Sequence, residues 1–181
     1  MPRVILVRHA EPAAGWGDHD DPGLSELGAA QAARAALVLS ETGIRRLITS
    51  PLARCQETAQ AYEKLTGVKA RIETAVAEIP TPKEVEDRRA WLGGVLAGKW
   101  SEVGPLLGRW KDGVGAALLS LPEDTVVFSH FVAINAAVGL ATNSETVVAF
   151  KPGHASRTEL FSDGVSLKLV GLGDEAPINL L

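Results

Sequence analysis

Cysteine is almost absent: Cys55 is the only one in 181 residues. That excludes an intrachain disulfide and a four-cysteine zinc site. A basic excess is also missing, since the net charge is −4 and the pI about 5.6. Nucleic acid and anionic membranes require a basic face, so neither is an expected partner. A small cationic pocket remains compatible with this balance. No apolar run approaches a membrane span. The most apolar later stretch, residues 131–141, is short and contains Asn135. The opening "MPRVILV" enters a strand directly, without the ordered regions of a secretory leader. No internal repeat, low-complexity tract or linker stands out. These features predict one globular domain over residues 1–181, soluble and cytoplasmic, with 46% hydrophobic residues to build its core.

What is present is an alternation of strand-like and helix-like stretches. Residues 3–7 are apolar and β-branched and predict a buried strand. A loop over 8–23 follows, rich in Gly and Pro. Ser25 is placed to cap a helix over about 25–41, with Leu27, Ala30, Ala33, Ala36 and Leu37 on one side. A strand over 45–50, a helix over 52–66 and a short strand over 69–74 come next. "EIPTP" (78–82) predicts a turn. Residues 83–121 read as helical but glycine-interrupted. Strand 125–129 and an Ala-rich helix over 131–141 follow. Runs 146–150, 156–161 and 166–172 read as strands, the last two joined at Asp163-Gly164. This order predicts an α/β fold. Its form is a three-layer α/β/α sandwich with a mostly parallel sheet and a late antiparallel hairpin.

Ligands of such sheets bind beyond the carboxyl ends of the strands. Arg8 and His9 follow the first strand, Ser50 and Arg54 the second, Glu78 the third, and Ser129 and His130 the fourth. Two arginine forks suit phosphate oxygens, and the helix start near residue 52 adds oriented N–H groups. A neutral histidine beside them is a nucleophile for phosphorus, and a nearby carboxylic acid can protonate a leaving alkoxide.

The residues themselves resemble the histidine phosphatase superfamily, also called phosphoglycerate mutase-like. Arg8-His9-Ala10-Glu11 is similar to the family's opening Arg-His-Gly, with Ala10 in place of Gly. Leu24-Ser25 through Gly28 to Gln31-Ala32 matches its second motif. Ser50-Pro51-Leu52-Ala53-Arg54, with Thr58-Ala59, matches the third. Ser129-His130-Phe131 stands for a late Ser-His-Gly, with Phe131 replacing the glycine.

The resemblance implies the phosphoglycerate mutase-like fold, with a small helical cap over about 80–115. It also implies a histidine acid phosphatase-type phosphoric monoester hydrolase in which His9 becomes phosphorylated. Arg8, Arg54 and His130 would hold the phosphoryl group of a small phosphorylated substrate. Glu78 would act as general acid, with Glu11, two residues from His9, as rival. No metal or other cofactor is implied. The same residues would serve a phosphoglycerate-type mutase, a phosphohistidine-protein phosphatase, or a phospho-ligand-binding protein without turnover. Oligomeric state is not implied.

Other residues have blander readings. "GDHDD" (17–21) matches no metal-ligand spacing and reads as an acidic solvent loop. His154 and Ser156 read either as pocket-mouth or as ordinary loop residues. Cys55 reads as a small packing residue. Trp91, Trp100 and Trp110 read as rings that pack the cap onto the core.

Overall fold

Along strand β1 (Arg3–Arg8) the side chains alternate between two cores. Val4 and Leu6 join one buried cluster, and Ile5 and Val7 join the other. A strand packed on both faces reads as a continuous apolar run, which explains "VILV". Each such side chain contributes about 1.5–3 kcal/mol when fully buried.

The computed structural model describes residues 1–15 and 20–176. Residues 17–19 of "GDHDD" therefore lie outside the described residues. Among the described residues, six strands form one sheet in the order β3-β2-β4-β1-β5-β6. β1, β2 (Arg46–Thr49), β3 (Arg71–Ile72) and β4 (Thr125–Ser129) run parallel. β5 (Arg157–Ser162) lies antiparallel to β1, and β6 (Leu167–Gly171) antiparallel to β5. Helices α1 (Glu26–Ser40) and α2 (Ala53–Thr66) cover one face. Helices α4 (Gly104–Leu119) and α5 (Phe131–Thr142) cover the other, and α3 (Arg88–Ala97) packs partly buried apolar side chains against the same core. No described helix is long and apolar enough to cross a membrane. The turn at Asp163-Gly164 closes the hairpin. Asp163 accepts from the N–H groups of Val165 and Ser166, and Gly164 takes a positive φ of 83°.

Several expectations need correction. Residues 146–150 are not a strand: Thr146 makes one isolated bridge, to Lys99. The buried Asn135 side chain accepts from the N–H groups of Ala149 and Phe150, so this backbone is satisfied without a sheet partner. Strand β3 is two residues long rather than six. The Ala70 N–H is taken by Glu63, and Glu73 caps the 3-10 turn Thr74–Val76. Helix α1 buries Gly28, Ala32, Ala35, Ala36 and Leu39, while Leu27 and Leu37 are more than half exposed. Its packed face is the narrow one, because α1 lies closely against α2. Within 83–121 the chain breaks at Gly98 and at Gly104, whose φ is 78°, whereas Gly93, Gly94 and Gly108 stay helical.

Trp100 is buried and packs on α5, where a side chain at Gly139 would crowd its Nε1. Trp91 and Trp110 pack partly buried against the same core, so all three rings join this segment to the rest of the chain.

Candidate active site

The register Arg8↔Ser129 between β1 and β4 sets His9 and His130 side by side just past the sheet edge. Their rings are 5.3 Å apart, and the His9 N–H donates to the Ser129 carbonyl at 2.9 Å. Ser50 leaves β2 at the same edge, its N–H donating to the Phe128 carbonyl. Arg54 occupies the first turn of α2 on the helix's buried face, with Cys55, Thr58, Ala59 and Tyr62. The Ser129 hydroxyl donates to the Val76 carbonyl at 2.7 Å and ties β4 to the segment that delivers Glu78. Arg8, His9, Arg54, Glu78 and His130 thus converge, as the sequence predicts.

His9 is buried, with Nδ1 2.8 Å from the Ala10 carbonyl. A carbonyl only accepts, so Nδ1 carries the proton and the Nε2 lone pair is free. Burial, then the Arg8 and Arg54 charges, hold the His9 pKa well below the usual histidine range. His130 is also held well below that range by burial, then by His9, Arg54 and Arg8. Arg54 Nη2 lies 3.2 Å from His130 Nδ1 and 3.4 Å from Glu78 Oε2. Glu78 has 15% of its side chain exposed, and its pKa is raised by burial against the opposing pull of Arg54, the Ile79 N–H and Arg8.

Arg8 donates through Nη1 to the Pro152 carbonyl at 2.8 Å and sits 5.3 Å from the centre of the Phe131 ring. Its Nε is buried with no hydrogen-bond partner among the described residues. Burial lowers its pKa to about 10. Two guanidiniums beside a neutral His9 suit an oxyanion with a nucleophile next to it, and a tetrahedral phosphoryl group presents oxygens to both arginines.

The motif residues around the site hold the loop that leaves His9. The Thr58 hydroxyl accepts from the Ala10 N–H at 3.0 Å and donates to the Arg54 carbonyl at 2.6 Å. Gln31 Oε1 accepts from the Glu11 N–H at 2.9 Å. Ser25 caps α1 by accepting from the Gly28 N–H, and its hydroxyl donates to Glu11 Oε1 at 2.8 Å. A side chain at Gly28 would overlap the Glu11 carbonyl oxygen, which is why glycine stands in the first turn of α1. Glu11 is therefore a loop anchor for α1, while Glu78 Oε2 lies 3.5 Å from His130 Nδ1.

His154 does reach the site: its ring centre is 5.8 Å from that of His9. The loop is pinned by the Ala155 N–H donating to the carbonyls of Arg8 and His9, with Ala155 at a positive φ of 57°. Burial, then Arg8, lower the His154 pKa to about 4 against the opposing charge of Glu11. Ser156 contributes its carbonyl to the Arg8 N–H, and its hydroxyl is buried without a partner among the described residues. No group of three or more potential metal-ligating side chains occurs among the described residues.

Ser50, to which the sequence assigns no role beyond its place at the sheet edge, puts its Oγ 2.7 Å from His130 Nε2. Its place at a strand end, four residues before Arg54, was the available signal.

Comparison with known proteins bears on the family and the fold. Residues 4–175 match the model of the histidine phosphatase superfamily, branch 1. A probable phosphoglycerate mutase GpmB from Yersinia enterocolitica is 28% identical over 186 residues, covering 88% of this chain and 85% of its own. Among solved structures, a mycobacterial glucosyl-3-phosphoglycerate phosphatase superposes with a TM-score of 0.73 at 23% identity, covering 97% of this chain and all of its own. A phosphoserine phosphatase from Entamoeba histolytica gives 0.74 at 20% identity, covering 96% and 98%. The fold, the ordered motifs and the family match over nearly the whole length lead to one assignment: this chain belongs to the histidine phosphatase superfamily.

Proposed function

We propose that the protein is a phosphatase that hydrolyses a small phosphomonoester through a phosphohistidine on His9. The observation that carries this reading is the Nδ1 contact of His9 to Ala10, which leaves the lone pair on Nε2 of a neutral ring that feels the Arg8 and Arg54 charges. In the first step Nε2 attacks phosphorus, and the P–O bond to the leaving group breaks. Glu78, whose pKa burial raises, gives its proton to the departing alkoxide. Arg8, Arg54 and His130 bind the equatorial oxygens as charge redistributes. In the second step water attacks phosphorus, the Glu78 carboxylate takes its proton, and the N–P bond breaks to restore His9. The arginines and histidines carry the charge work, so the proposed reaction invokes no metal. The segment around α3 and α4 acts as a cap that shapes the entrance.

The likeness to a probable phosphoglycerate mutase supports a second reading, in which the phosphoryl group passes from His9 to another hydroxyl. One experiment tests both. A panel of phosphomonoesters is incubated with the protein in the presence of chelator, and phosphate release and acid-labile protein phosphate are measured for wild type and His9→Ala. Hydrolysis is expected. Transfer to an added alcohol acceptor in place of water would favour the mutase reading. Absence of both release and labelling would leave a phospho-ligand-binding protein.

A further inference from the structure

Behind the side of His130 that faces the site lies a polar layer unused by the proposed chemistry. Nδ1 of the ring faces Arg54 and Glu78. Nε2 faces away, 2.7 Å from Ser50 Oγ and 3.4 Å from Cys55 Sγ. Guanidinium nitrogens only donate, so Nδ1 accepts from Arg54 and the proton of the neutral ring resides on Nε2. Ser50 Oγ accepts that proton. It also accepts from the Leu52 N–H at 3.2 Å. The Cys55 thiol, kept protonated by burial, donates onward to the Ser129 carbonyl at 3.4 Å. Ser50, Cys55, Ser129 and His130 are all fully buried. Donors and acceptors match on both sides of the ring: Arg54 donates to Nδ1, and Nε2–H meets the Ser50 oxygen and the Cys55 sulfur, whose own hydrogen goes to the Ser129 carbonyl. Reversing the ring proton would oppose donors at Arg54 and leave Nε2 dependent on Ser50 or Cys55 as donor.

We propose that Ser50 and Cys55 are positioning residues that hold His130 in its Nε2–H tautomer, so that Nδ1 alone is presented to the phosphoryl group. The inference deepens the phosphoryl-transfer reading above and rests on it for its consequence. An Nδ1 lone pair repels a phosphoryl oxygen unless a proton lies between them. With Nε2 already occupied, a proton taken up on binding goes to Nδ1. The phosphoester monoanion, whose second ionisation is near pH 6, supplies it. Its O–H bond breaks, an Nδ1–H bond forms, and a dianion faces an imidazolium. The groups facing the ring are Arg8, His9, Arg54, Cys55 and Glu78. Before binding, Arg8 and Arg54 oppose the imidazolium. The entering dianion takes the Arg54 N–H that Nδ1 had accepted and offsets both guanidinium charges, and Ser50 accepts from the Nε2–H in both states.

The test is long-range proton–nitrogen NMR of the imidazole nitrogens in nitrogen-15-labelled full-length protein, with His130 assigned from the His130→Asn spectrum. The expected result is a neutral Nε2–H ring near pH 7 that becomes doubly protonated when vanadate is added. Ser50→Ala should lose the single-tautomer signature and lower kcat/KM about tenfold, the worth of one buried hydrogen bond. Ser50→Thr, which keeps the hydroxyl, should restore both. An Nδ1–H tautomer in wild type would overturn the inference without any variant. So would an unchanged tautomer and rate in folded Ser50→Ala. The tautomer is read without turnover. An Nε2–H ring in a protein that releases no phosphate from any ester would therefore sink the phosphatase reading alone.

Discussion

Arg54 Nη2 and His130 Nδ1 lie 3.2 Å apart although 76 residues separate them in the chain. The contact joins the first turn of α2 to the end of β4, and it fixes where a positive fork and a neutral ring meet. Arg54→Lys keeps the charge but loses the planar fork and its fixed reach. Steady-state kinetics on a phosphomonoester should show kcat/KM reduced about a hundredfold or more, with the far-UV spectrum unchanged. A loss of only a few-fold would remove Arg54 from the phosphoryl site.

Thr58 carries a structural prediction. Its hydroxyl is the acceptor for the buried Ala10 N–H next to His9. Thr58→Val keeps the shape and orphans that N–H, which should cost about 1–3 kcal/mol in urea unfolding. Thr58→Ser should recover most of it.

Gly28 and Gly108 make a matched pair. Gly28→Ala drives a methyl group into the Glu11 carbonyl and should destabilise by about 1–3 kcal/mol despite a better helix former. Gly108→Ala, inside α4 with open space around it, should stabilise by about 0.5–1 kcal/mol. Thermal melts of the two variants should move in opposite directions.

The pH dependence follows from the signs of the shifts. His9 must be neutral, and its pKa lies well below the histidine range, so the acid limb of kcat/KM should fall below pH 6.5. Glu78 must be protonated to act as acid, so the rate on alkyl phosphates should decline as pH rises through its elevated pKa. Glu78→Gln should remove that alkaline limb and slow alkyl phosphates far more than aryl phosphates. Equal slowing of both would end its role as acid.

For stability, the folded protein holds His154 near pKa 4 against 6.5 for the free residue. It therefore binds fewer protons than the unfolded chain between these values. Its contribution is complete above about pH 6.5 and is lost as the pH falls towards 4. His154→Asn should flatten the fall in unfolding free energy over this window by up to about 2 kcal/mol, after allowance for partial exposure.

Much of this was legible in the sequence because strand ends are easy to read and the site is built on them. Arg8-His9, Arg54, Glu78 and Ser129-His130 each follow an apolar run, and parallel strands bring such ends to one edge. The loop-holding roles were harder. Nothing in the spacing of Gln31 or Thr58 tells that they reach the backbone at Glu11 and Ala10, because the contacts span 20 and 48 residues. The sequence points to the wrong face of α1 because large exposed side chains, Leu27 and Leu37, outweigh a packed face made mostly of Gly and Ala. "TVVAF" has strand composition, but the Asn135 side chain takes its backbone donors. The spacing of His154 does not show its approach to His9, because that depends on a loop held by contacts to Arg8 and His9, more than 140 residues away.

The central claim is that His9 accepts the phosphoryl group on Nε2. Wild-type protein is mixed with a phosphomonoester, quenched in alkali within milliseconds, and digested for mass spectrometry and phosphorus NMR. A phosphate bonded to Nε2 of His9, acid-labile and absent from His9→Ala, is the predicted result. Turnover with no phosphate on the chain, or turnover that survives in His9→Ala, would contradict it.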